Sequence, residues 1–278
     1  MDHNRLLRGL FRLTGTRRTL FKMAQSYADW YRGDENEDPE TNGEYTLLSK
    51  WPSLGGGTVI DVGANQGDWA ERLLRLHPNA AVHCFEPTRS AFNRLESRMA
   101  DHAALNRLAV GETAGTLRLA AEGHDDVTSV YSAASIGARF PGSPGESSPP
   151  EEVKVVTLDD YCEVEAIAEI AFLKIDTEGH EMAVLRGADM MLSQRRIRAI
   201  QIEYSYWWIA ARHYLMDLFD YLGTRQYRIF KILPDGIMPL ESYRHRLDGF
   251  RYGNLLATSG PIDPGMVVRT GASNLLEV

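Results

Sequence analysis

The chain has 278 residues, enough for one large domain with a sizeable core and not demanding a second. Hydrophobic residues at 44% and charged residues at 24% are ordinary for a globular protein, and a net charge of −8 argues against nucleic-acid binding, which needs a basic footprint. Two cysteines, Cys84 and Cys162, make neither a disulfide framework nor a metal cluster and suit a cytoplasmic protein, and no apolar run approaches the ~20 residues of a membrane span.

Residues 1–25 carry Arg5, Arg8, Arg12, Arg17, Arg18 and Lys22 against Asp2, a net of +5 that leaves −13 on the rest of the chain. Leu6, Leu7, Leu10, Phe11 and Leu13 recur at near-helical spacing, but Arg8 and Arg12 interrupt the apolar run a signal peptide needs. Three readings of this segment stand: a helix packed on the domain or on a homodimer partner, a lid over a substrate, or a weak membrane-surface contact. Packing on the core or a partner is the expectation. Gly33 to Asn42 is polar and reads as a loop. Asn42-Gly43-Glu44-Tyr45 then opens a helix over Thr46 to Trp51, with Glu44 near its positive dipole end.

Thr58 to Val62 is an apolar run of the kind that fills a strand buried on both faces. It breaks at Gly63-Ala64-Asn65-Gln66-Gly67-Asp68, and from Trp69 a helical pattern with Leu73, Leu74 and Leu76 runs to the stop His77-Pro78-Asn79. Strand, glycine turn and helix present free backbone N–H groups to a ligand, with Gly63 and Gly67 allowing a sharp turn and close approach. Asn65 stands where a dinucleotide fingerprint has its second glycine, and no G-K-S/T of a P-loop follows. Asp61 ends this strand; Glu86, before Pro87, ends the next, Ala81 to Glu86. A carboxylate at Glu86 suits two ribose hydroxyls, and one at Asp61 suits a cationic arm. A nucleoside with a positive amino-acid arm is S-adenosylmethionine.

Phe92, Leu95 and Met99 form a helix stripe; Leu105 to Val110 reads as a strand and Gly115 to Ala121 as a short extra one. Residues 122–150, rich in Gly, Pro and Ser, form a long loop, either a substrate lid or a plain insertion. Val153 to Leu158 is a strand followed by a helix from Asp159-Asp160-Tyr161; Ile170 to Asp176 is a strand followed by a helix over Gly179 to Met191. A strand over Ala199 to Tyr204 precedes an aromatic-rich helix, Trp207 to Leu222. Tyr227 to Ile232, Pro234-Asp235-Gly236 and Ile237 to Leu240 read as a hairpin, and Asn254 to Thr258 as a last strand. Repeated strand–helix units imply a parallel sheet.

The motifs D-V-G-A-N-x-G (61–67), F-E-P (85–87), A-V-G (109–111), T-L-D-D-Y (157–161) and F-L-K-I-D-T-E-G-H-E-x-x-V-L-R-G-A (172–188) resemble the FkbM family of S-adenosylmethionine-dependent methyltransferases over roughly residues 40 to 258. K-I-D-x-E-G-x-E is their most specific block. The resemblance implies an α/β, class I (Rossmann-like) methyltransferase fold. That fold has a mostly parallel seven-stranded sheet, a C-terminal antiparallel hairpin and helices on both faces. A division follows into an N-terminal helical extension, 1–50, and a methyltransferase domain, 51–278. It implies that Glu44, Asp61, Gly63, Asn65, Gly67, Trp69, Glu86, Pro87, Asn106, Ala109 and Asp176 bind the cofactor, with Asn106 and Ala109 near adenine and Glu44 near the methionine end.

Methyl transfer to a hydroxyl needs an aligned nucleophile and a base. The base candidates Asp176, His180 and Glu203 end neighbouring strands or begin the next helix, where open α/β sheets bind ligands. Asp176, Glu178 and Glu203 would also suit Mg²⁺, the lesser reading, with no metal required. The expected activity is O-methylation of a hydroxyl on a small molecule, sugar or polyketide-type natural product. The alternatives are an N-methyltransferase, an oxidoreductase disfavoured by the missing glycines, and a non-catalytic cofactor-binding or membrane-surface module.

Overall fold

Runs of Val, Ile, Leu and Phe that read as strands pair side by side because both their faces can be covered by helices. A computed structural model describes residues 17–51, 54–121, 128–129, 151–262 and 267–268. Residues 1–16, and the 122–150 loop apart from 128–129, lie outside the described residues.

In spatial order the main sheet contains β3 (Ala104–Asn106), β2 (Ala81–Phe85), β1 (Thr58–Val62), β8 (Phe172–Ile175), β9 (Ala199–Tyr204), β12 (Gly253–Thr258), β10 (Arg228–Leu233) and β11 (Gly236–Leu240). Pairs from β3 to β9 are parallel, whereas β12 runs antiparallel to β9 and β10, and β10 to β11. The sheet has eight strands where seven were expected; β11, the far arm of the expected hairpin, adds an edge. Strand order reverses between β1 and β8, the switch point beside which such sheets bind ligands.

Alternate residues of each strand serve opposite faces. On one, α2 (Glu44–Ser49), α3 (Asp68–Leu76) and α4 (Arg89–Met99) bring Leu47, Leu48, Trp69, Leu73, Leu95 and Met99 onto Val59, Cys84, Phe172 and Leu256. On the other, α5 (Leu158–Val164), α6 (Glu181–Arg186), α7 (Asp189–Ser193), α8 (Trp207–Ala211) and α9 (Leu215–Gly223) cover Ile60, Val62, Ile175 and Ile202. Thr157 caps α5, its hydroxyl accepting from the Asp160 N–H at 3.0 Å.

Local departures from the expected elements have steric causes. The helix expected over 179–191 breaks between α6 and α7 at Gly187, where an added Cβ would lie 2.0 Å from the Gly111 carbonyl. The helix expected over 207–222 breaks at Arg212, whose φ is 59°. The strand expected over 105–110 divides: β3 stays in the main sheet, and β4 (Ala109–Val110) joins β7 (Glu151–Val156), β5 (Gly115–Ala121) and β6 (Thr128–Ser129) in a second sheet ordered β4, β7, β5, β6. α1 (Arg17–Arg32) is helical as expected, but residues 18–27 are exposed rather than packed on the core. Among the described residues no helix is long and apolar enough to cross a membrane.

Candidate active site

β1 brings Asp61 to the switch point fully buried, and neither of its carboxylate oxygens accepts a hydrogen bond. Lys174 of β8 supplies the counter-charge with Nζ 3.9 Å away, while the same ammonium donates to Asp176 Oδ2 at 2.7 Å. Burial outweighs Lys174 and pushes the Asp61 carboxyl up to about 6. A buried carboxylate whose lone pairs lack donors is costly unless a ligand supplies them.

Glu86, also buried, is held by its neighbours: Oε2 accepts the Asn65 N–H at 3.0 Å, and Oε1 accepts the Thr88 N–H at 2.9 Å and the Thr88 hydroxyl at 2.6 Å. Burial raises its pKa against those hydrogen bonds. Pro87 joins Glu86 to Thr88 and brings that hydroxyl back onto the carboxylate.

The two glycines make room for neighbouring protein. A Cβ on Gly63 (φ 88°) would lie 1.7 Å from the Asp176 carbonyl oxygen. One on Gly67 (φ 90°) would meet Leu95 at 2.8 Å and Met99 at 3.1 Å. Gly63 thus lets the ends of β1 and β8 touch, and Gly67 seats α3 on α4. Trp69, expected against the cofactor, is a buried side chain stacked on Phe172 with ring centroids 5.9 Å apart. Ala109 lies in β4 among Leu119, Val153 and Val155 of the second sheet, and Asn106 Nδ2 donates to the Cys84 carbonyl at 3.2 Å and the Tyr161 hydroxyl at 3.1 Å.

Asp61, Lys174 and Gln201 are direct register partners across β1, β8 and β9 and form a polar row in a buried sheet. Gln201 Nε2 donates to Glu44 Oε2 at 2.7 Å. Glu44 Oε1 takes Asn42 Nδ2 at 2.8 Å and Asn254 Nδ2 at 3.1 Å. Glu44 is therefore a buried, fully engaged carboxylate, not an exposed helix start. Gln201 and Asn254 were absent from the expected site; a buried amide in each largely apolar strand run was the signal for them.

Beyond the row, Asp176, Glu178 and Glu203 bring carboxylate oxygens within 4.8 Å of one another. Glu203 is buried on β9, and burial followed by the charges of Asp176 and Glu178 raises its pKa well above the usual range; Glu178 is raised by burial and by Asp176. Glu178 (φ 52°) and Gly179 (φ 98°) turn the chain, and Glu181 pins that turn, its Oε1 accepting the Thr177 and Gly179 N–H groups at 3.0 and 3.1 Å. Burial lifts Glu181 to about 7. His180 is not brought into this group. Its Nε2 faces Gly111, the charges acting on it are those of His213 and Glu112, and burial lowers its pKa.

A raised acid stabilises the fold when protonated, so the share Asp61 contributes is present below 3.8 and is lost as the pH rises through about 6. Asp61→Asn is therefore expected to stabilise the ligand-free protein at neutral pH by about 1–3 kcal/mol, with no gain below about pH 4. Urea denaturation at both pH values checks this; a gain equal at both would assign it to something other than the carboxylate's charge.

Strand order, switch point and the antiparallel β12 inserted between β9 and β10 define a class I, Rossmann-like methyltransferase fold. The Methyltransferase FkbM domain matches residues 61–229, and the chain belongs to that family. It is 29% identical over 161 residues to the 2-O-methyltransferase NoeI of Sinorhizobium fredii (strain NBRC 101917 / NGR234), covering 53% of this chain and 63% of that protein. It is 30% identical over 157 residues to the 31-O-demethyl-FK506 methyltransferase FkbM of Streptomyces tacrolimicus, covering 48% of this chain and 60% of that one. The matches thus span less than two thirds of either relative. Among solved structures, the methyltransferase FkbM from Methylobacillus flagellatus KT aligns with a TM-score of 0.45 at 19% identity, over 73% of this chain and 43% of its own.

Proposed function

We propose that the protein is a cytoplasmic S-adenosylmethionine-dependent O-methyltransferase acting on a hydroxyl of a small molecule, a sugar or a polyketide-type natural product. Family membership and the two O-methyltransferase relatives support the reaction class. The observation that carries the O-linkage is the set of three carboxylates, Asp176, Glu178 and Glu203, gathered beyond β8 and β9. The high proton affinity of Glu178 and Glu203 suits taking a proton from an alcohol. The same negative field would hold an amine acceptor as its unreactive ammonium, which speaks against N-methylation. In this reading residues 1–50 form the N-terminal extension and 51–278 the methyltransferase domain, with Leu47 and Leu48 anchoring the extension's end in the core.

The residues fit the cofactor. Asp61, with two carboxylate oxygens lacking donors, would hold its cationic amino-acid arm, with Glu44 behind. Glu86 already accepts three hydrogen bonds, so it offers a ribose one hydroxyl site directly and a second where the Thr88 hydroxyl turns away. Asn65 orients Glu86 through its N–H, and Asn106 borders the adenine side. When bound, the cofactor supplies the sulfonium-activated methyl carbon. Lys174 keeps Asp176 oriented, and Glu203 takes the acceptor's proton. Mg²⁺ on the same oxygens is the second reading, and loss of turnover on chelation would favour it.

Thermal shift should show stabilisation by S-adenosylhomocysteine and none by NAD⁺. Labelled methyl transfer into fractionated metabolites, with the product's methyl carbon read by NMR, should give an O-methyl signal; an N-methyl signal overturns the linkage. Glu86→Ala removes charge-assisted bonds worth on the order of 1.5–3 kcal/mol. It is expected to weaken S-adenosylhomocysteine binding by roughly one to two orders of magnitude, and unchanged calorimetric affinity would remove Glu86 from the site.

A further inference from the structure

We infer that α1 lies on an anionic lipid surface, an attachment separate from the proposed chemistry. Its sequence is amphipathic: Leu20, Met23, Ala24, Tyr27, Trp30 and Tyr31 recur at helical spacing on one face, and Arg18, Lys22, Gln25, Ser26 and Asp29 share the other. An amphipathic helix on a globular domain normally turns its apolar face inward. Here it does not: residues 18–27 are exposed on both faces. Asp29, near the helix's C-terminal end, is tied to the domain by Arg251, Nη2 to Oδ1 at 2.8 Å, while Met23, Tyr27 and Trp30 of the apolar face are each 63–67% exposed and Leu20 45%.

Charge selects the occupant. Arg17, Arg18, Lys22 and Arg32 stand against Asp29 alone within α1, in a chain whose net charge is −8. Two copies of so basic a helix would repel where their apolar faces met, whereas anionic headgroups attract it, and the acidic remainder of the chain is pushed away from that surface. Phe, Tyr and Trp are the side chains that settle at the headgroup boundary, and a helix of 16 residues with this composition lies in the interface rather than crossing it.

The full chain mixed with phosphatidylglycerol–phosphatidylcholine vesicles at low salt is expected to cosediment, to release at high salt and to ignore pure phosphatidylcholine. Tryptophan emission should shift to the blue, and the shift should vanish in Trp30→Phe. The double variant Tyr27→Ser, Trp30→Ser removes two anchors and should weaken binding by about tenfold or more. Both side chains are exposed, so its melting temperature should match that of the parent. No binding to the anionic vesicles overturns the inference, as does undiminished binding by the double variant. A dimer in sedimentation velocity that the double variant converts to monomer overturns it too, because the face would then be covered by a second copy.

Discussion

Glu203→Gln is expected to lower kcat by roughly 10²–10⁴-fold, the usual cost of losing a positioned base, while leaving S-adenosylhomocysteine affinity within about threefold. Glu203 lies buried on β9, and glutamine keeps its shape there while removing the proton-accepting charge. Its proton affinity is raised by burial and by Asp176 and Glu178. Activity should therefore fall with decreasing pH through a limb above the ordinary carboxylate range, because the base works only when deprotonated. Asp176→Asn removes one of the charges that raise Glu203, so the limb should move to lower pH in that variant. His180→Ala tests the remaining candidate: His180 faces Glu112 and His213, so its loss should leave the limb in place. Full turnover in Glu203→Gln, or a limb abolished by His180→Ala, would move the proton to another group.

Gly63→Ala is expected to destabilise the protein by several kcal/mol, on the order of the sum of a left-handed alanine and an overpacked contact. The added Cβ would sit 1.7 Å from the Asp176 carbonyl oxygen, a backbone atom that has no rotamer in which to retreat. β1 and β8 would have to part where Asp61 and Lys174 face each other. Gly56→Ala is the control: its φ is 83° but nothing lies within 4 Å of the new Cβ, so it should show only the backbone cost of about 1–2 kcal/mol. The difference between the two variants in urea denaturation isolates the contact. Equal losses would mean that β8 yields without cost.

What the chain disclosed in advance depended on the range over which each feature is determined. β9 falls over Ala199–Tyr204 as read, because a β-branched run buried on both faces is its own signal. The acids Glu86 and Asp176, each following an apolar run, and Asp61, one residue inside the end of β1, were legible for the same reason. Breaks and partners set by distant residues were not. Gly187 is small because of Gly111, and Gly67 because of Leu95 and Met99. Glu44 gave no local sign that Gln201 and Asn254 would bury it. His180 sits within the most specific motif, yet adjacency in sequence did not bring its ring to the carboxylates, since the turn at Glu178 and Gly179 sends it toward Gly111.

β12 is the last strand in the sequence of the main sheet and yet not at its edge, for it enters between β9 and β10. The order of synthesis and the order of assembly therefore part company. While a nascent chain still lacks residues 253–258, β9 has an open side and β10 with β11 has no sheet to join. Asn254 also arrives with that strand, so Glu44, among the first described residues made, waits for one of the last to complete its hydrogen bonds. A ribosome-bound chain stopped before Gly253 would hold the β1 turn but an open, adhesive sheet edge, the kind of surface that chaperones protect.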